Sequence, residues 1–213
     1  MNSIVYNIDC MEGMKQYPDK HFDLAVVDPP YGIGAGSKSF KNRSSANKRA
    51  EKFYKDNDWD KCTPEDEYWQ ELMRVSKNWI VWGGNYFPLP LTKSWIFWDK
   101  NVPKGISFAD GELAWTSFDI VLRKVNIPHS GFVNSDTNRI HPTQKPVALY
   151  DWIYHHYLPN GGRVIDTHLG SGSNRIAAHK AGNIDFTGFE LDEDYYKAQE
   201  KRYKNFIAQL RMF

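Results

Sequence analysis

Short apolar runs of strand length alternate along this chain with stretches of helical spacing. Ile4–Ile8 reads as a strand, Met11–Gln16 as a short helix followed by Pro18, and Phe22–Val27 as a near-continuous apolar strand of the kind buried on both faces. Thr63 as N-cap, Pro64 at the first helical position and the acids Glu65 and Asp66 predict a helix through about Lys77. Trp79–Trp82, Trp95–Trp98 and Glu112–Trp115 predict three more strands, separated by Gly- and Pro-rich turns. Residues 123–141 are polar and predicted irregular. A helix begins at Pro146 and runs to about Tyr157, where Pro159 and Gly161-Gly162 stop it. Arg163–Ile165 and Phe186–Phe189 predict strands. Asn174–Ala181, closed by Gly182, and Asp192 to about Leu210 predict helices. This alternation predicts an α/β fold with a mainly parallel sheet.

Residues 32–61 break the pattern. They hold few aliphatic side chains and many Gly, Ser, Asn and Lys, and read as a long loop. Between Lys38 and Lys55 the loop carries Lys38, Lys41, Arg43, Lys48, Arg49, Lys52 and Lys55 against Glu51 alone.

Length and composition narrow the classes. A chain of 213 residues holds one large domain, or one with a small insert. A 41% hydrophobic, 25% charged composition excludes a disordered or fibrous chain. The 27 basic residues against 26 acids leave a net charge of +1, which excludes a uniformly basic nucleic-acid coat protein. Contact with nucleic acid must then come from a local patch. Cys10 and Cys62 are too few for a disulfide framework or a zinc cluster, so a reduced, cytoplasmic setting is expected. No signal peptide or membrane-spanning run is visible, and no membrane partner is expected. Trp69, Trp79, Trp82 and Trp152 are assigned to the core rather than to stacking. His155-His156 has no matching ligand spacing, so no metal is expected.

The informative pattern is where the strands stop. Four apolar runs end in an acid: Asp9, Asp28, Asp166 and Glu190. In an open parallel sheet all strand C-termini share one edge, and ligands bind in the crevice there. Each acid alone could equally cap the turn that follows. Four together point to a site, and carboxylates suit amines, ribose hydroxyls and cationic ligands. Asp166-Thr-His-Leu-Gly170-Ser-Gly172-Ser173 joins a strand to a helix, and its glycines allow a ligand close to the backbone. Glu190 follows at the end of the next strand, where nucleotide-binding units place a ribose-binding acid. The third glycine of the dinucleotide fingerprint is absent, because position 175 is Arg. A nucleoside without pyrophosphate fits better, and a nicotinamide-dependent dehydrogenase fits poorly.

Asp28-Pro29-Pro30-Tyr31 is more specific. The prolines fix φ and remove two N–H donors, so nearby carbonyls are held rigidly without a competing amide. A carboxylate, a fixed carbonyl and an aromatic face at one strand end suit a planar ring bearing an exocyclic amino group. Gly83-Gly84-Asn85, after another strand, either lines the same crevice or forms a simple turn.

Asp28-Pro-Pro-Tyr31, the Asp166…Gly170-Ser-Gly172 loop and His141-Pro-Thr-Gln-Lys-Pro146 together resemble the S-adenosylmethionine-dependent amino-methyltransferases of DNA. The sub-class is the permuted β class, in which the catalytic motif precedes the cofactor loop. The resemblance spans nearly the whole chain. It implies a Rossmann-like methyltransferase fold: a mainly parallel twisted sheet with helices on both faces and circularly permuted motif order. It implies a single catalytic domain over 1–213, with the basic loop at about 32–61 and a short target-recognition segment at about 119–140. Two positions depart from the family pattern: Thr167 replaces the usual Pro, and His168 replaces an apolar or aromatic residue.

The resemblance also implies roles. Glu190 accepts the ribose hydroxyls, Asp9 the cofactor's adenine amino group, and the Cys10 backbone N–H faces a ring nitrogen. Gly170 and Gly172 let the methionine portion approach, Asp166 lies near its amino group, and Thr143 and Lys145 bind its carboxylate while His141 and Pro142 shape the turn. Asp28 and the Pro29 carbonyl accept the two hydrogens of the target amino group, with Pro30 and Tyr31 completing the motif and Tyr31 stacking on the flipped base. No metal is required. Lys38, Lys41, Arg43, Lys48 and Arg49 would clamp phosphates, and Arg123, Lys124 and Arg139 would reach DNA from the recognition segment. The expected partner is double-stranded DNA, with a homodimer and a restriction endonuclease as further expectations. Adenine N6 is the expected target. Cytosine N4, RNA adenine N6 and, in a different class, a non-catalytic nucleic-acid-binding module are the alternatives.

Overall fold

A computed structural model describes residues 2–34, 60–102, 109–128 and 139–210. Eight strands among these residues form one sheet: β1 (Ser3–Tyr6), β2 (Phe22–Val27), β3 (Ser76–Trp82), β4 (Trp95–Asp99), β5 (Gly111–Thr116), β6 (Arg123–Asn126), β7 (Gly162–Asp166) and β8 (Ile184–Phe189). The order across the sheet is β1-β8-β7-β2-β3-β5-β4-β6. The first five strands in that order are mutually parallel, and β5 alone runs against its neighbours.

The alternating side chains of the central strands build two cores. Leu24, Val26, Ile80, Trp82 and Val164 face helices α3 (Val147–Tyr157) and α4 (Ser173–Ala181). Ala25, Val27, Val81 and Ile165 face α1 (Cys10–Met14) and α2 (Asp66–Val75). The sheet is therefore covered on both sides, which is why β2 reads as a continuous apolar run. The last helix, α5 (Glu193–Leu210), docks on α4 through the buried Arg175, whose guanidinium meets Gln199, Glu200 and the ring of Tyr203.

Three expectations need correction. Helix α2 begins at Asp66, with Glu65 at the N-cap position making no side-chain cap bond, rather than at Pro64. It ends at Val75, because Ser76 already pairs with Phe22 of β2, so the strand expected from Trp79 starts at Ser76. Sheet pairing here overrides the helical pattern. Residues 123–126, expected irregular, form the edge strand β6 alongside β4. Only Val125 of its four side chains is buried, so the strand has almost no hydrophobic signature. Among the described residues no helix is long and apolar enough to cross a membrane.

Candidate active site

Parallel pairing brings the C-terminal ends of β1, β8, β7 and β2 to one sheet edge in unbroken succession. Asp9, Glu190, Asp166 and Asp28 stand at or just beyond those four ends.

Three of the carboxylates are fixed largely by backbone amides. Asp9 caps α1, its Oδ1 accepting the Met11 N–H at 2.7 Å. Glu190 spans two turns: one oxygen accepts the Gly170 N–H at 2.7 Å, the other the Asp192 N–H at 3.0 Å. Asp166 accepts the His168 N–H at 3.1 Å and the Asn174 amide at 2.9 Å. Asn174 also donates to the Val26 carbonyl, tying the end of β7 to β2. Burial pushes the Asp166 carboxyl up to about 7 and raises Glu190 as well, although amide hydrogen bonds oppose both shifts. Each carboxylate has lone pairs left over, so capping does not exclude ligand binding. Burial also pushes the Cys10 thiol up to about 12, leaving it a neutral side chain.

Gly170 and Gly172 have φ of +52° and +70°, a region costly for other residues. A Cβ on Gly170 would lie 3.6 Å from the His141 ring, so the His141–Pro146 segment passes directly over this loop. His141 meets Tyr195 edge-on at 4.4 Å, and its Nδ1 lies 3.1 Å from the Thr143 hydroxyl. Arg139 donates to the Pro142 carbonyl, holding the turn. Burial keeps His141 neutral, lowered to about 3. His168 is likewise lowered to about 4 by burial and meets Tyr68 edge-on at 5.5 Å. Thr167 accepts or donates at 2.7 Å with the Tyr68 hydroxyl.

Asp28 is held differently, by side chains, one from its own tetrapeptide and one from a remote segment. Its Oδ1 lies 2.6 Å from the Tyr31 hydroxyl, and its Oδ2 lies 2.6 Å from the Lys145 ammonium. Lys145, assigned from the sequence to the cofactor, is buried and also pairs with Glu112 at 2.8 Å. Glu112 completes the group by pairing with Lys100 at 2.8 Å and meeting the Tyr31 hydroxyl at 2.7 Å. Burial raises the Asp28 carboxyl, and Glu112 adds to this while Lys145 opposes it. Burial acts on Glu112 too, but Lys145 and Lys100 outweigh it and hold the carboxyl at about 2.

The Tyr31 ring is pinned as well. It stacks on Tyr86 at 4.9 Å and 12°. A Cβ on Gly83 would fall 2.3 Å from it, so the Gly83-Gly84 turn does line this site. Buried Asp60 accepts the backbone N–H groups of Tyr31 and Gly32 at 2.6 and 3.0 Å, fixing the turn after Pro29-Pro30. Sequence reasoning missed Glu112, Lys100, Asp60 and Tyr86. The signal for Glu112 was an acid within an apolar strand; the other three carry none.

The basic residues divide. Lys38, Lys41, Arg43, Lys48 and Arg49 lie outside the described residues. Arg123 and Lys124 sit on β6, four strands from β2, roughly 19 Å away at the usual strand spacing. Lys124 pairs with Asp99 at 2.7 Å. Among the described residues no group of three His, Cys, Asp or Glu side chains could hold a metal ion.

Comparison with known proteins bears on this arrangement. A family model described as DNA methylase matches residues 90–201, more than half of the chain. The chain belongs to that family. This DNA methylase is also 24% identical over 207 residues to YubD of Escherichia coli (strain K12), a protein named as a methylase, covering 91% of this chain and 87% of YubD. Two solved structures share its fold. The complex of M1.HpyAVI with SAM has a TM-score of 0.60 at 20% identity, over 95% of this chain and 98% of that one. The cytosine-N4-specific PvuII DNA methyltransferase has a TM-score of 0.62 at 14% identity, over 95% and 86%. The sheet is thus that of the Rossmann-like methyltransferases.

Proposed function

We propose that this DNA methylase transfers the methyl group of S-adenosylmethionine to the exocyclic N6 amino group of an adenine flipped out of duplex DNA. The observation that carries the reading is the position of Asp28, with the rigid Pro29-Pro30 turn behind it, on the same sheet edge as Asp9, Asp166 and Glu190. The donor fits these residues: three carboxylates suit its hydroxyls and amino groups, and the glycines at positive φ, Gly170 and Gly172, turn the chain between β7 and α4 without side chains of their own. Bound there, it supplies an electrophilic methyl group on a sulfonium.

Glu190 accepts the ribose hydroxyls. Asp9 and the Cys10 N–H hold the donor's adenine. Asp166 takes the donor's amino group, and Thr143, oriented by His141 and Pro142, its carboxylate. Lys145 is reassigned: with its ammonium between two carboxylates, it orients Asp28 rather than the donor.

The target amino group is a weak nucleophile, because its lone pair is delocalised into the ring. Asp28 and the Pro29 carbonyl accept its two hydrogens, which localises the lone pair toward the methyl group. Positioning and electrostatics then supply the catalysis. Tyr31, immobilised by Tyr86 and Gly83, offers the flipped base a rigid aromatic wall. The basic residues between 38 and 55 and Arg139 are proposed as phosphate contacts. Arg123 and Lys124 lie far enough along the sheet that we place them at the rim of any DNA footprint.

Asp as the first residue of the tetrapeptide favours adenine. Likeness to a cytosine-N4-specific enzyme supports cytosine N4 as the second reading. The test is incubation with S-adenosylmethionine and unmethylated duplex DNA, in parallel with RNA, followed by digestion and mass spectrometry of the nucleosides. N6-methyladenine from DNA is the expected product. N4-methylcytosine would replace the target base, and product from RNA alone would replace the polymer.

A further inference from the structure

The Tyr31 hydroxyl sits between two carboxylates. Its oxygen lies 2.6 Å from Asp28 Oδ1 and 2.7 Å from Glu112 Oε1. Contacts this short between oxygens are attractive only with a hydrogen between them. The hydroxyl has one hydrogen to give, so it can satisfy one carboxylate and not both. Lys145 puts no hydrogen between these oxygens: its three hydrogens go to Asp28 Oδ2 at 2.6 Å, to Glu112 Oε1 at 2.8 Å and, in a long bond of 3.4 Å, to the Tyr31 oxygen. The group Asp28–Tyr31–Glu112 therefore has a built place for one additional proton.

We propose that this place receives the proton released by the methylated amino group: Asp28 takes it and donates it to the Tyr31 oxygen, whose own hydrogen turns to Glu112. The inference rests on the amino-methyltransfer reading above. The atoms balance as follows. The amino nitrogen forms its bond to the methyl carbon while the sulfur keeps the electron pair of the broken S–C bond. The nitrogen is left positively charged with two hydrogens. One N–H bond then breaks, its pair returning to nitrogen, and the proton bonds to Asp28. That proton stays on Asp28 Oδ1 and is donated to the Tyr31 oxygen, while the hydroxyl donates its own hydrogen to Glu112 Oε1. Glu112 Oε2 accepts from the Lys100 ammonium at 2.8 Å, which keeps Glu112 an ionised acceptor while Asp28 holds the proton.

The electrostatics fit a proton that enters at Asp28. Burial and the Glu112 charge make Asp28 the readier of the two acids to hold it, whereas Lys145 and Lys100 keep Glu112 ionised. The other groups facing Asp28 do not supply an alternative acceptor. Asp166 lies on β7 behind the Asn174 amide, and Tyr68 of α2 and Tyr150 of α3 are phenols that burial keeps neutral. Tyr31 thus has a role for its hydroxyl that is separate from the stacking of its ring, and Glu112 acts through Tyr31 as a positioning residue.

The test uses Tyr31→Phe, which keeps the ring, and Glu112→Gln, which keeps the shape. Carbon-13 NMR of the Asp28 carboxyl is titrated in the substrate-free protein, and the single-turnover methylation rate is measured against pH with donor and duplex DNA saturating. Removing the Glu112 charge is expected to lower the Asp28 pKa, and removing the hydroxyl donor to raise it, each by about half a pH unit or more. The acidic limb of the rate profile is expected to move with each titration, with kcat reduced about tenfold and KM for DNA within about twofold. Shifts in one direction, or none, would overturn the shared-proton arrangement. Opposite shifts with an unmoved acidic limb would overturn its use as the proton acceptor. Opposite shifts with no methylation by the unmodified protein would instead overturn the methyltransfer reading, and the use of Asp28 as proton acceptor with it.

Discussion

The sheet edge holds two kinds of carboxylate. Asp9, Asp166 and Glu190 are anchored mainly by backbone N–H groups within a few residues of themselves or on the adjoining strand's turn. Asp28 is anchored by Tyr31, Lys145 and, through them, Glu112 and Lys100, drawn from four separate segments. Backbone anchors are rigid and electrically neutral, which suits posts that bind one ligand in one pose. Side-chain anchors carry charge and protons, which suits a group that must change its hydrogen bonding during a reaction. Under the function proposed above, recognition falls to one half of the edge and chemistry to the other.

The largest expected effect comes from removing the cation that keeps the second half together. Lys145→Met leaves Asp28 without its counter-charge and Glu112 with Lys100 alone, and loss of one partner from a buried ion pair costs about 3–5 kcal/mol. Chemical denaturation should show that loss, and Lys145→Met with Glu112→Gln should recover a substantial part of it. Full additivity of the two changes would show that the cluster is not a unit.

Gly83→Ala comes next. The new methyl group would lie 2.3 Å from the Tyr31 ring at a φ of +66°. We expect a loss of about 1–3 kcal/mol and a fall in kcat, with donor affinity unchanged. A weakened donor affinity would mean the two halves are mechanically joined.

The backbone-anchored half is tested by pH. Between its ordinary value of 3.8 and about 7, the folded protein holds a proton on Asp166 that the unfolded chain has released. Stability of the free protein therefore gains less from Asp166 as pH rises through that window, and the contribution is gone above it. A cationic donor beside Asp166 favours the carboxylate and releases the proton. Donor affinity measured by calorimetry should rise about tenfold from about pH 6 to about pH 8, and Asp166→Asn should flatten the rise. Proton uptake on binding would contradict the placement. The smallest effect is expected at the rim. Lys124→Ala breaks an exposed pair with Asp99 and should change stability by less than about 0.5 kcal/mol, with DNA affinity within about twofold.

The same contrast explains what could be read from the chain. Asp9, Asp166 and Glu190 announce themselves because each stands at or just beyond the end of its own strand and is held there by amides close in sequence or, for Glu190, also on the adjoining strand's turn. The central strands were legible because burial on both faces makes them continuously apolar. β6 was not, with Val125 its one buried side chain, and the start of β3 was hidden because Ser76 and Lys77 extend the pattern of α2. The Asp28 cluster was half legible. Its tetrapeptide stands out, but Glu112 and Lys100 reach it through the folding back of β4 and β5, and nothing near Asp28 in sequence encodes that. Lys145 was seen, but its pairing with Asp28 and Glu112 was not, for the same reason.

The division of labour is tested most directly by measuring donor affinity and single-turnover methylation together on Asp28→Ala and Glu190→Ala. Asp28→Ala should leave the affinity for S-adenosylmethionine within about threefold while slowing transfer at least ~100-fold. Glu190→Ala should weaken the affinity by about tenfold or more, yet retain most of the transfer rate once the donor is saturating. If both variants lose affinity and rate in equal measure, the edge is a single unit and the account of two halves is wrong.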